Sequence, residues 1–253
     1  MTKQQLLKTA KPILFNTDMV RAILDNRKTQ TRRPIKPQPP SRAIFNTIYS
    51  CGTAEFKTIV QGDPLIDYAK FSKPKSRCKV GDILYVRETF QKKTDKDGHD
   101  ICCSKGCPAG DDYPCALIPC IFGDREFLYF ADEWHEQPSH GNDVSLYEDI
   151  KWRPSIHMPK EAARIFLRVT EVRAERLRDI SGRDILAEGV DNGYSNPKMG
   201  ARWENQQKFA FCGVWNSCYE KRNGGAYSWE SNPWVEVYDF ERVEERKIKH
   251  YSS

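Results

Sequence analysis

The chain has 253 residues, 39% of them hydrophobic and 30% charged, with a formal net charge of +5. That length suits one large domain or two small ones, and an aromatic content of 11% provides material for a core. No apolar run approaches the roughly 20 residues that span a bilayer, and the opening MTKQQLLKTAKPILF is too interrupted for a signal peptide, so a soluble cytoplasmic protein with no membrane partner is expected.

Charge is unevenly spread. Residues 1–42 carry ten Lys and Arg against Asp18 and Asp25, whereas residues 94–149 carry thirteen Asp and Glu against Lys96, Lys105 and Arg125. A basic stretch of this kind attracts a polyanion, unless the acidic segment folds back and neutralises it. Nine cysteines without a secretion signal point to free thiols or metal ligands rather than a disulfide framework.

In chain order, PILFN (12–16) reads as a short buried strand. Thr17 is the expected N-cap of a helix with Asp18 in its first turn and Met19, Val20, Ile23 and Leu24 on its apolar face; Asn26 stops it. The basic run DNRKTQTRRPIK (25–36) follows and reads as a loop, because Pro34, Pro37, Pro39 and Pro40 oppose regular structure. Residues 41–80 have no clear period. VGDILYVRETF (80–90) is a turn at Gly81-Asp82 and then a strand. Residues 92–150 read as an acidic, Cys-rich insertion within one decorated domain, with a possible strand at EFLYFAD (126–132). Pro154 and Pro159 bracket an extended segment. A long strand follows, in which Ile165, Leu167, Val169 and Glu171 alternate with Phe166, Arg168, Thr170 and Val172. Ser181 and Asp184 form a capping-box-like start to a helix over 182–188 that Gly189 ends. A second helix is expected over 202–221, with Phe209, Cys212, Trp215 and Tyr219 on one face. NPWVEVYDFERV (232–243) closes the chain as a strand. Strands with short helices on one side make an α+β or small-barrel fold.

The basic run raises the question of chemistry. Arg27, Arg32, Arg33 and Lys36 have the composition of a phosphate-contacting or solvated surface. Lys28 and Thr31, three apart, share a face if the run bends like a helical turn. A lysine among other cations has a lowered pKa and serves as a base, and a carboxylate from elsewhere completes an acid/base set. Composition alone does not say which carboxylate.

ILDNRKTQTRR (23–33), GDILYVRETF (81–90) and VTEVRAERLRDISGRDILAEGV (169–190) resemble the ASCH family, whose domains are PUA-like β-barrels. Segment by segment they resemble its small bacterial members, which hydrolyse N4-acetylcytidine. The resemblance implies a metal-independent amidohydrolase in which Lys28, Thr31 and Glu188 form the catalytic set, with Thr31 attacking an amide carbonyl or orienting a water. Arg33 stands where the family pattern has its second arginine. KPILF, WRPSIHMPK, DISGRDILAEGV and SNPWV are similar to segments of phage and prophage proteins of this type. The resemblance covers about three-fifths of the chain, which is more than twice the length of the small enzymes.

Other expectations stand beside it. Trp152 and His157 are the preferred candidates for stacking on or bonding a base, with Phe15, Tyr85, Phe90 and Trp234 as core-like alternatives. Cys103, Cys107, Cys115 and Cys120 have a C-x3-C…C-x4-C spacing that a structural zinc could staple, and Cys51, Cys78, Cys212 and Cys218 read as small buried residues. The partner is a modified nucleoside or a nucleic acid, RNA or DNA. The rival functions are a binding module without chemistry and, less favoured, a nuclease using the Lys/Glu pair.

Overall fold

The structure, a computed structural model, describes residues 2–39, 43–48, 54–59, 68–72, 77–92, 127–132, 152–190 and 200–244. It is a mixed α+β fold built on an open five-stranded sheet. The helices are α1 (Lys3–Thr9), α2 (Thr17–Leu24), α3 (Gly182–Ala187) and α4 (Ala201–Tyr219). The strands are β1 (Lys11–Leu14), β2 (Gln30–Pro34), β3 (Ala43–Ile48), β4 (Ala54–Ile59), β5 (Tyr68–Ser72), β6 (Ile83–Arg87), β7 (Phe90–Lys92), β8 (Phe127–Tyr129), β9 (Phe166–Arg176) and β10 (Trp234–Val243). The large sheet has the order β1-β6-β9-β10-β2; β3-β4-β5 and β7-β8 form smaller sheets.

Two compact units divide the chain. The first comprises Met1–Lys11, Ala22–Leu84 and Phe166–Ser253; the second comprises Pro12–Arg21 and Tyr85–Ile165. In the second, Arg164 lies across the Tyr129 ring at 3.9 Å and binds Glu88 through two hydrogen bonds of 2.9 Å and Asp132 through one of 2.6 Å. Most of the 92–150 segment, with its five cysteines, lies outside the described residues.

In the first unit, β10 is flanked by β9 and β2, both antiparallel. One face of this three-strand stretch carries Val235 and Val237, which pack with Leu177, Ile180, Ile185, Phe211, Trp215 and Tyr219 into a core under α3 and α4. The opposite face carries Ala174, Glu236, Tyr238 and Thr31, which share it by register. A bulge between Asp239 and Phe240 resets β9. Before it, Leu167 and Val169 are buried; beyond it, the same parity delivers Glu171, Arg173 and Glu175 to the α3/α4 face. One long strand therefore switches from an apolar to a charged row.

Five expectations need correction. Asn16, not Thr17, caps α2: its Oδ1 accepts from the Met19 N–H at 2.9 Å and its carbonyl from Val20. The basic run does not stay a loop, since β2 takes in Pro34; among the described residues this is an edge strand paired only to β10, where a missing N–H is tolerated. Residues 155–157 and 160–162 form two 3₁₀ turns rather than an extended segment. On α4 the buried row is Trp203, Gln207, Phe211, Trp215 and Tyr219; Phe209 is 83% exposed, because the true stripe repeats every fourth residue. Cys78 is buried, and burial pushes its thiol up to about 11, but Cys212 and Cys218 are only half-buried, and Cys51 lies outside the described residues.

Candidate functional site

The end of α2 builds the site. Asn26 adopts φ 58°, its N–H bonds the Ile23 carbonyl at 3.1 Å, and the Arg27 N–H reaches back to Ala22 at 2.8 Å. This Schellman pair terminates the helix and reverses the chain. The Lys28 N–H bonds the same Ala22 carbonyl at 2.9 Å, so Lys28 is fixed beneath the helix end. Thr29 then bonds the Ala187 carbonyl at 2.8 Å, and Lys28 and Glu188 form an isolated antiparallel bridge.

Glu188 arrives from α3. Ser181 and Asp184 complete a reciprocal capping box at its start, and Glu188 is its C-cap. Gly189 follows at φ 81°, and a Cβ there would meet the Ala22 Cβ at 2.7 Å and the Lys28 Cβ at 3.0 Å. The glycine supplies both the left-handed turn and the close approach of α3 to Lys28.

The two side chains meet although 160 positions separate them. Lys28 Nζ donates to Glu188 Oε2 at 2.6 Å and to the carbonyls of Glu188 and Gln30 at 2.8 Å each. Both residues are buried. Burial pulls the Lys28 ammonium below the ordinary lysine range; Glu188 opposes that shift, and the Arg33 and Arg32 guanidiniums add to it.

Arg32 extends the network. Its Nη1 donates to Glu188 Oε1 at 3.2 Å and to Gln30 Oε1 at 2.5 Å, while Nε and Nη2 reach Glu175 Oε1 at 2.9 and 2.7 Å. Asp184 lies 3.6 Å from Nη2. Arg173 joins Glu175, Asp184 and Asp239, the last at 2.7 Å, and Gln30 bonds Asp239. Burial alone would push Asp184 up; Ser181 and Arg32 outweigh it and hold the carboxyl below its ordinary range.

The other candidate residues divide. Arg32, expected as a surface or phosphate-binding charge, is instead buried, and its guanidinium faces protein carboxylates. Thr31 is buried on the opposite pleat face, across from Tyr238, and its hydroxyl makes no hydrogen bond to Lys28 or Glu188. The expected helical turn is absent because β2 begins at Gln30, so the pleat sets the direction of Thr31. Arg27 is exposed, paired with Asp25 at 2.8 Å and bonded to the Gly189 carbonyl at 3.3 Å. Arg33 is half-buried and donates to the Tyr219 hydroxyl at 3.0 Å; burial disfavours its charge, but Tyr219 and Glu188 outweigh that and hold it charged. Trp152 and His157 belong to the other unit: Trp152 packs edge-on against Phe130 at 5.2 Å, and His157 is exposed in a 3₁₀ turn. Phe15, Tyr85, Phe90 and Trp234 are buried.

No protein-family model matches the chain, and neither a curated protein nor a solved structure shows significant similarity to it.

Sequence reasoning missed Glu175, Arg173 and Asp239. The available signal was the change from Leu167 and Val169 to Glu171, Arg173 and Glu175 along one parity of β9. Among the described residues no three or more His, Cys, Asp or Glu side chains are grouped to hold a metal ion. Cys103, Cys107, Cys115 and Cys120 lie outside the described residues. No helix among the described residues is long and apolar enough to cross a membrane.

Proposed function

We propose that the chain is an ASCH-type, PUA-like protein that hydrolyses the amide of an N-acylated pyrimidine, with N4-acetylcytidine as the reference substrate. The observation that carries this reading is the buried Lys28–Glu188 contact at 2.6 Å. The motif resemblance pairs those two residues, and the fold unites them from distant parts of the chain.

Burial pulls the Lys28 ammonium below its ordinary range, which brings the neutral amine within reach as a base. As the amine, Lys28 takes a proton from the attacking water and the hydroxide adds to the acyl carbon. The C–N bond then breaks, and the proton taken up by Lys28 passes through Glu188 to the departing exocyclic amine. A carboxylic acid and the unsubstituted pyrimidine result. The family resemblance makes Thr31 Oγ the nucleophile, but its position across the strand favours water in that role. Arg33, half-buried and held charged by Tyr219 and Glu188, is the cation assigned to the developing oxyanion.

A non-catalytic base-binding module is the second reading. It is favoured by Lys28, Arg32 and Arg173 each already facing a protein carboxylate, as in a purely structural network. Incubation with N4-acetylcytidine and a panel of other N-acylated nucleosides, with products followed by mass, separates the two. Deacylation of at least one member supports the hydrolase; an intact panel together with tight base binding overturns it.

A further inference from the structure

Helix α4 has two contrasting faces. Its inner row, Trp203, Gln207, Phe211, Trp215 and Tyr219, is buried. Opposite it runs an exposed row of Arg202, Asn205, Phe209, Gly213, Ser217 and Glu220, which a helix of about 3.6 residues per turn keeps in one stripe.

No contact among the described residues accounts for three features of this stripe. Phe209 is 83% exposed, more than any other large apolar side chain among the described residues. Gly213 stands in mid-helix without a positive φ, and a Cβ there would meet nothing within 4 Å, so glycine weakens the helix relative to alanine and relieves no crowding. Arg202, in the first turn, and Glu220, at the C-cap, each carry the sign that their end of the helix dipole disfavours, and neither makes an ion pair with a described residue.

One arrangement uses all three. The stripe is symmetric in position about the level of Phe211: Phe209 and Gly213 stand two residues to either side, Asn205 and Ser217 six, Arg202 and Glu220 nine. Two copies of α4 crossing antiparallel about a two-fold axis at that level bring each Phe209 over Gly213 of the other copy, and each Arg202 beside Glu220 of the other copy. The phenyl ring is the knob and the glycine the hole, and the missing side chain lets the helices approach towards the short end of the roughly 8–10 Å range. The charges match in this direction only, because a parallel pair sets Arg202 against Arg202 and Glu220 against Glu220. The antiparallel direction also lays each helix N-terminus beside the C-terminus of the other copy.

We propose that the outer face of α4 is a self-association surface whose occupant is a second copy of this chain, held as an antiparallel, two-fold helix pair centred at the level of Phe211. A single helix-on-helix contact falls below the roughly 1,200 Å² at which standard interfaces begin, so the dimer forms and separates with concentration. The inference does not depend on the chemistry at Lys28 and Glu188.

The test is sedimentation velocity of the full chain over a concentration series reaching the high micromolar range. The average mass should climb from that of the 29.3 kDa chain towards twice that value. Phe209→Ser should keep the chain monomeric throughout. Gly213→Leu should do so too, because it fills the hole; a non-specific apolar contact would instead be strengthened by the added side chain. Arg202→Glu and Glu220→Arg should each weaken association by at least about tenfold, since each sets like charges together, and the double exchange Arg202→Glu/Glu220→Arg should restore it. All four positions are exposed, so a thermal transition no lower than that of wild type establishes that the variants fold. A wild-type chain that stays monomeric across the series overturns the proposal. Association of Phe209→Ser or Gly213→Leu as tight as that of wild type, or a double exchange no tighter than the single ones, overturns it as well.

Discussion

Removing Glu188 alone should be far more damaging than removing Glu188 and Lys28 together. At an effective dielectric of about 20, opposite charges 2.6 Å apart attract by about 6 kcal/mol. Desolvating the two ions costs several kcal/mol each, so the intact pair is close to neutral for stability. Glu188→Ala deletes the attraction and keeps the cost: the buried Lys28 ammonium loses its 2.6 Å carboxylate partner, and Arg32 loses its 3.2 Å partner. The expected loss is ~3–5 kcal/mol. Lys28→Met/Glu188→Leu removes both charges and keeps the volume, and should fall within ~1–2 kcal/mol of wild type. The assay is equilibrium chemical unfolding followed by tryptophan fluorescence, run as a double-mutant cycle. A single-variant loss under ~1 kcal/mol, or single losses that simply add in the double variant, would refute the buried-pair reasoning.

Stability should also respond to alkali in a definite direction. Because the folded Lys28 ionises below its ordinary value, the unfolded chain binds more protons between that lowered value and about 10.4, and stability rises with pH across this window. Lys28→Met should remove that part of the rise in unfolding curves taken from neutral to alkaline pH. Gly189→Ala should cost ~2–4 kcal/mol, from the positive φ and the 2.7 Å contact with Ala22, and should lower turnover because Lys28 must shift; an unchanged unfolding midpoint would contradict the close packing. Thr31→Ala should retain more than about a tenth of the turnover of N4-acetylcytidine if water is the nucleophile, while a loss as deep as that of Lys28→Ala, roughly 10²–10⁴-fold, would make Thr31 the nucleophile.

Much of this architecture was legible because local chemistry and fold agree. The Asn26 stop, the Gly81 turn and the Ser181/Asp184 box each need one residue type at one place, and each is found there. The pairing of Lys28 with Glu188 was reachable only through motif resemblance, since nothing local to either residue points to the other. The misread positions have nonlocal causes. Pro34 sits in a strand because β2 is an edge among the described residues. Thr31 turns away from Lys28 because pairing with β10 imposes a pleat on a segment that reads as a loop. The charged row of β9 stayed hidden because a bulge, set by its pairing with β10, moves one parity from one sheet face to the other. Arg32 looked like a surface cation because its three acidic neighbours come from β9, α3 and the end of α3.

The most direct test of the account is single-turnover deacylation of N4-acetylcytidine by wild type, Lys28→Ala and Glu188→Gln, each verified as folded by its thermal transition. The account predicts release of cytidine by wild type and a loss of at least about 10²-fold in both variants. No cytidine from wild type, or undiminished release from Lys28→Ala, would contradict it.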